Sequence, residues 1–314
     1  MLQTAAEMNY YPNLSARNLK KRHNRQVGLV VPSISNPFYP SIIRGIEDVA
    51  YENGYSLFLC SGDRDSQREN NYIKLLIENS VAGVITLMTN SVIDGSLAEV
   101  VNGYLAQGGV VLAVDVEKSD REDIGVFFFD KNREGRLATQ HLLDLGHQRT
   151  AFLTAPLTNP IRKGKVAGYQ ETVGAAGLPA ELIVAGREYD LDDRDHVYDC
   201  QIGVELARKA LLEKADVTAL LCMNDLVALG CLAELAAQGK RVPFDYSVIG
   251  FDDSFFSELV QPKITTVRTE KYKIGQLAME KMTEILESDG IVRHYDVSSY
   301  TRLVVRESTG VPRK

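Results

Sequence analysis

The fold class is predicted most directly by residues 26–61, which read QVGLVVPSISNPFYPSIIRGIEDVAYENGYSLFLCS. An apolar run at 27–32 precedes a segment of helical period at 40–52, and a second apolar run follows at 55–61. In the middle segment a proline suits the first helical turn, an Asn-Gly pair suits the end, and isoleucine and valine recur on one face. A strand, a covering helix and a parallel strand form the repeating unit of an α/β sheet.

The same alternation continues along the chain. Further strands are predicted at 82–87, 110–115, 124–129, 150–154, 219–223, 247–251, 264–267 and 302–306. Further helices are predicted at 67–78, 97–107, 134–145, 165–176, 203–213, 226–238 and 271–287. These units outnumber those of one small open sheet, and polar breaks at 118–123 and 185–195 interrupt them. We therefore predict an α/β fold with two doubly wound parallel-sheet lobes.

Composition excludes several classes of protein. With 45% hydrophobic and 25% charged residues, the chain matches globular averages, and its apolar runs are too short to cross a bilayer. Its first residues lack the features of a secretory signal, and its four cysteines show no C-x-x-C spacing, so we predict a reducing, cytoplasmic location. The five histidines lack metal-ligand spacing, so no metal site is predicted.

Motifs of common enzymes are also missing from the sequence. No G-x-G-x-x-G follows the first strand, and neither a phosphate-binding loop nor a G-x-S-x-G nucleophile elbow occurs. We therefore predict no catalytic residues and no cofactor.

Charge is distributed unevenly between the start of the chain and its body. Residues 1–25 hold five basic side chains and one acid, so this segment has a net charge of +4. Because the whole chain has a net charge of −7, the remaining residues carry −11. A basic arm on an acidic body suits contact with a polyanion through the arm alone, although a solvated helix end would have a similar composition.

Polar and aromatic residues follow several predicted strands, at the edge where α/β sheets bind ligands. These residues are Phe38-Tyr39, Asp115, Asn224-Asp225 and Asp252-Asp253. Carboxylates and amides accept or donate hydroxyl hydrogen bonds while rings cover an apolar face, so the set suits a polyhydroxylated ligand. Asn and Asp are also common in turns and helix caps, and that alternative stays open for each position.

Taken together, the chain from about residue 5 to residue 311 resembles the LacI/GalR family of bacterial transcription regulators. The matching segments are YPNLSARNL (11–19), VGLVVP (27–32), NPFY (36–39), VAGVI (81–85), GH (146–147), ND (224–225), VIGFDD (248–253), ITTV (264–267) and RLVVRES (302–308). The resemblance implies two flavodoxin-like, periplasmic-binding-protein-like lobes that close around a small effector, a sugar or related metabolite. It also implies a homodimer that acts as a repressor and binds operator DNA.

The family's architecture implies three crossovers between the lobes, near Phe129, Gln261 and Asp296. The expected division is a hinge and head remnant at 1–25, a first lobe at 27–129 plus 263–294, and a second lobe at 130–261 plus 297–312. In the hinge, a short helix would enter the minor groove and form only on DNA. The residues assigned to DNA contact by this resemblance are Asn13, Ala16, Arg17, Leu19 and Lys20.

The resemblance also assigns an effector pocket. Its residues are Phe38, Tyr39 and Asp115 from the first lobe and Asn159, Lys165, Tyr189, Asn224 and Asp252 from the second. Lys165 stands where the family usually has arginine, so a bidentate fork becomes a single point charge, with Arg162 as a possible substitute. The polar stretch at 189–199 is longer than the family's usual link.

Two further expectations concern the whole chain. The family's helix-turn-helix head has no counterpart in the sequence, so we expect a truncated form that does not bind a specific operator strongly. The alternative is a periplasmic sugar-binding protein of the same fold, which a signal peptide would mark; an enzyme of the doubly wound class would be marked by turnover.

Overall fold

The computed structural model describes residues 24–63, 65–88, 90–93, 95–116, 118–185, 197–214, 216–288 and 291–313. The predicted hinge residues Asn13, Ala16, Arg17, Leu19 and Lys20 lie outside this part of the chain. Their assignment to DNA contact therefore stays a prediction.

Twelve strands and eight helices alternate along the described chain. The strands are β1 (Gln26–Val31), β2 (Ser56–Ser61), β3 (Gly83–Leu87), β4 (Val110–Val116), β5 (Gly125–Phe128), β6 (Thr150–Thr154), β7 (Glu181–Val184), β8 (Ala219–Cys222), β9 (Ser247–Asp252), β10 (Thr265–Thr269), β11 (His294–Asp296) and β12 (Thr301–Val304). The helices are α1 (Pro40–Glu52), α2 (Ser66–Glu78), α3 (Ala98–Ala106), α4 (Lys131–Asp144), α5 (Pro160–Ala175), α6 (Val197–Glu213), α7 (Asp225–Ala237) and α8 (Lys271–Ser288).

The first lobe is built on a six-stranded sheet in the order β11-β5-β4-β3-β1-β2, in which all neighbours are parallel. Successive residues of a strand point to opposite faces, so Leu29 packs with α1 and α8 while Val30 packs with α2 and α3. Helices cover both faces of the sheet, which explains why its central strands are apolar without alternation.

The second lobe repeats this plan with the order β12-β10-β9-β8-β6-β7. Only the β10–β12 pair is antiparallel among the strand pairs described. One continuous apolar core joins this sheet to its helices, with Phe152, Tyr169 and Phe251 among its largest buried side chains. The predicted α/β class with two doubly wound lobes is confirmed.

The structure differs from the expected lobe division at residues 265–269, which form a strand of the second lobe's sheet. We expected residues from 263 onward to belong to the first lobe, but β10 pairs with β9 and β12 of the second. The reason is local bonding: the Thr266 hydroxyl donates to buried Asp225 at 2.7 Å, and the Thr265 amide donates to Ser308 at 2.8 Å. The second crossover therefore lies between β10 and α8, not near Gln261.

Facing glycines allow two helices to pack in close contact at three places in the fold. They are Gly45 with Gly275 between α1 and α8, Gly135 with Gly168 between α4 and α5, and Gly203 with Gly230 between α6 and α7. At each of these six positions a methyl group would overlap a main-chain carbonyl oxygen of the partner helix. The backbones of each pair therefore touch without intervening side chains.

Helix α8 connects the second crossover to the opposite end of the first lobe. At its start, the Lys271 ammonium donates to the main-chain carbonyls of Asp252 and Asp253 in the second lobe. Near its end, Glu287 forms a 3.3 Å ion pair with Arg25, which also donates to the Asn53 carbonyl after α1. Arg25, the last residue of the N-terminal segment at 1–25, thus contacts the ends of both α1 and α8.

None of the described helices is long and apolar enough to cross a membrane.

Candidate functional site

A cavity of about 610 Å³ lies between the two lobes, at the carboxyl ends of their strands. The structure brings seven of the eight predicted pocket residues to its wall: Phe38, Tyr39, Asp115, Asn159, Lys165, Asn224 and Asp252. The eighth, Tyr189, lies outside the described residues. Arg162, the arginine considered beside Lys165, also lines the cavity.

An aromatic pair forms the first lobe's wall of the cavity. Phe38 and Tyr39 precede α1, and their rings meet edge to face with centroids 5.3 Å apart. The Asn36 side chain accepts from the Phe38 amide at 2.9 Å, and the Tyr39 hydroxyl donates to the Met88 sulfur at 2.6 Å. These bonds hold both rings at the cavity, where they offer an apolar surface.

Three residues at the cavity have a left-handed backbone where their strands end. The φ angles are 55° for Met88, 58° for Asp115 and 99° for Asp252. Non-glycine residues rarely adopt such angles, and in structures they cluster at ligand-binding sites. At all three strand ends, the backbone departs from extended geometry where the side chain reaches the cavity.

The two predicted asparagines cap helices at the second lobe's wall. Asn159 accepts from the Arg162 amide at 2.9 Å at the start of α5, and Asn224 accepts from the Val227 amide at 2.8 Å at the start of α7. The Asn224 amide group also donates to Asp199 at 3.2 Å. The helix-cap interpretation is therefore correct for Asn224, Asn159 caps its helix in the same way, and both residues still line the cavity.

A chain of buried charges joins the two lobes at the cavity. The Lys131 ammonium lies 2.8 Å from Asp115 of the first lobe and 3.1 Å from Glu134, its neighbour on α4. The Lys165 ammonium lies 3.7 Å from Glu134 and 3.7 Å from Asp252. It also donates to the Met223 carbonyl at 3.3 Å.

Sequence reasoning missed Lys131 and Glu134. Both lie in the first turn of α4, where charged residues resemble an ordinary solvated helix end. Burial by itself lowers the pKa of Lys131, but the charges of Asp115 and Glu134 outweigh it and raise that pKa above its usual value. The ammonium is therefore held protonated.

The second residue of the predicted pairs Asn224-Asp225 and Asp252-Asp253 has a structural role in each case. Buried Asp225 accepts from the Ser254 amide at 2.7 Å and from the hydroxyls of Ser257 and Thr266. Burial, with the nearby charge of Asp252, raises the pKa of Asp225 to about 7. Asp253 forms a 2.6 Å ion pair with Arg306. Neither carboxylate lines the cavity.

The cavity wall offers groups that can recognise a small polar molecule. Carboxylates, amides and an aromatic wall converge on a volume that fits a small polar molecule. Within the described ranges, no three His, Cys, Asp or Glu side chains are placed to hold a metal ion.

Comparison with known proteins gives consistent matches. The model of the periplasmic binding protein-like domain matches residues 139–309. The catabolite control protein A of Priestia megaterium is 31% identical over 93% of this chain and 84% of its own length. The transcriptional repressor PurR of Vibrio atlanticus is 30% identical over 88% and 79%. A LacI family regulator from Enterococcus faecium, solved with bound ribose, has a TM-score of 0.76 and 25% identity, covering 92% of this chain and 100% of that one.

Proposed function

Because the chain belongs to the LacI family of ligand-responsive transcriptional regulators, we propose that its inter-lobe cavity binds a sugar or related metabolite and thereby controls contact with operator DNA. The observation that carries this proposal is the convergence of side chains from both lobes on one cavity. A ligand that bridges Asp115 and Asp252 favours one arrangement of the lobes over others, which is the requirement for coupling between two sites.

A neutral polyhydroxylated effector fits the wall best. Asp115 and Asp252 face the cavity from opposite lobes, and Phe38 with Tyr39 supplies an apolar face between them. The ribose in the Enterococcus faecium structure supports this ligand class by relationship. The basic segment at 1–25 supports the proposed contact with DNA, a cytoplasmic location is proposed with it, and no catalytic role is proposed.

A thermal-shift screen of sugars, sugar phosphates and nucleobases tests the proposal. An effector at 100 times its Kd is expected to stabilise the folded chain by about 2.7 kcal/mol. Fluorescence anisotropy with labelled duplex DNA then measures coupling with and without the best compound, at low salt and at protein concentrations that detect the weak contact expected of the basic segment. A flat screen would count against the effector site, whereas a hit that leaves DNA affinity unchanged would count against the regulatory role.

We also propose that the first lobe forms a homodimer through its β2 edge. Phe58 and Leu59 on this edge strand and Leu75 on α2 leave large apolar side chains exposed. A strand at the edge of a sheet that also carries exposed apolar side chains is a favourable surface for a second copy. Sedimentation equilibrium is expected to give twice the mass of one chain. The variant Leu59→Arg is expected to have the mass of a single chain. Leu212→Arg, at an exposed leucine of the second lobe, is the matched control.

A further inference from the structure

Glu134 connects the two lysines of the cavity. Its two carboxylate oxygens face different partners, Lys131 at 3.1 Å and Lys165 at 3.7 Å. The Glu134 side chain is 4% exposed and does not line the cavity, whereas both lysines do. The single carboxylate of Glu134, which lies behind the cavity wall, is thus paired with two ammonium groups that line the wall.

Each lysine has a second carboxylate partner at the cavity. Asp115 lies 2.8 Å from Lys131, and Asp252 lies 3.7 Å from Lys165. The remaining cation among the described wall residues, Arg162, donates to the Pro156 carbonyl. Two further carboxylates, Glu69 and Asp199, line the cavity. Including Glu134, the described carboxylates therefore outnumber the cations by five to three.

We propose that Glu134 is a specificity-determining residue that neutralises both cavity lysines and thereby restricts the effector to uncharged polyhydroxylated molecules. This inference rests on the proposed function of the cavity. A phosphate or carboxylate is recognised by cations that are free to donate to it. Here such a ligand must displace Glu134, Asp115 or Asp252 from a lysine and then lie beside the displaced carboxylate. An uncharged sugar can bond to these carboxylates without separating them from the lysines.

Matched neutral and anionic probes test the proposal by calorimetry. The pairs are D-ribose with D-ribose 5-phosphate, and D-glucose with D-gluconate, with inorganic sulfate as an anion without a sugar. The unaltered chain is expected to bind a neutral probe and to leave its anionic partner and sulfate unbound. Glu134→Gln keeps the side-chain shape and removes one negative charge. It is expected to raise the anionic-to-neutral affinity ratio by about tenfold and to allow sulfate binding.

Two further variants make the result specific. Asp115→Asn frees Lys131 from the other side, and asparagine tolerates the 58° φ at this position. Because Asp115 also faces a sugar in the cavity, sulfate binding is the readout for this variant, and it is expected to appear even if Glu134→Gln fails to fold. Glu171→Gln, an exposed carboxylate on α5, is the matched control and should leave the ratio unchanged. A merely structural Glu134 would lower the affinity for both members of a pair and leave their ratio constant.

The failures of the two proposals can be told apart. If the unaltered chain binds an anionic probe as tightly as its neutral partner, or if folded Glu134→Gln leaves the ratio unchanged, the role of Glu134 is overturned while the effector site stands. If no sugar binds, the proposed function is contradicted. The sulfate titrations then test the role of Glu134 separately. If Glu134→Gln does not bind sulfate, the proposal for Glu134 is contradicted.

Discussion

Gly168→Ala is expected to destabilise the protein by about 3 kcal/mol, because a methyl group there would overlap the Asn132 carbonyl oxygen of α4. The obstacle is backbone, which cannot rotate away as a side chain can. Relief requires α4 and α5 to separate, and these helices carry Lys131 and Lys165. Effector affinity should therefore fall together with stability. Urea unfolding followed by circular dichroism measures the first effect, and calorimetry measures the second.

Gly174→Ala is the matched control on the same helix. No atom lies within 4 Å of a methyl group built at Gly174, so only helix propensity changes. This variant should be more stable than the unaltered chain by about 0.5–1 kcal/mol. If Gly168→Ala and Gly174→Ala changed the free energy of unfolding equally, the close approach of α4 and α5 would not be the reason for glycine at residue 168.

Asp252→Ala is expected to weaken effector binding by about 100-fold while the lobes stay folded. Asp252 offers a carboxylate to the cavity from the end of β9. Because its side chain is 22% exposed, removing it creates no buried void in the protein core. Lys271 bonds to the main-chain carbonyl of residue 252, and that contact survives the substitution. Calorimetric titration with the effector found by the screen measures the loss.

Asn224→Ala should give a similar loss but also removes the α7 cap, at a cost of about 1 kcal/mol. Asn224→Asp keeps a capping oxygen and separates the two effects. Asp144→Ala, an exposed acid on α4, is the control for removal of a carboxylate. Unchanged effector affinity in both Asp252→Ala and Asn224→Ala would overturn the assignment of the cavity.

Sequence patterns predicted the interior of the fold better than its edges. The central strands and α1 follow from apolar runs and helix-boundary residues. Strands β7 and β11 were missed because they are short edge strands that gain order from pairing with one neighbour. Helices α4, α5 and α6 begin earlier than predicted, since their first turns carry little apolar periodicity.

The cavity was predictable only in part. Asp115, Asn224 and Asp252 follow strands, and strand ends of parallel sheets meet at one edge, so their convergence follows from topology. Lys131 and Glu134 follow the crossover from β5 into α4. Their approach to Asp115 and Lys165 depends on how the two lobes face each other, which no local pattern encodes.

Helix α8 spans the distance between the contacts of Lys271 in the second lobe and the ion pair of Glu287 with Arg25. Its 18 residues, at about 1.5 Å each, give a length of about 27 Å between the second lobe and Arg25. A tilt of about 4° at the Lys271 end displaces the far end by about 2 Å, the size of helix shifts in known allosteric proteins. Such a tilt at the cavity would therefore be felt mainly at Arg25, next to the basic segment at the start of the chain.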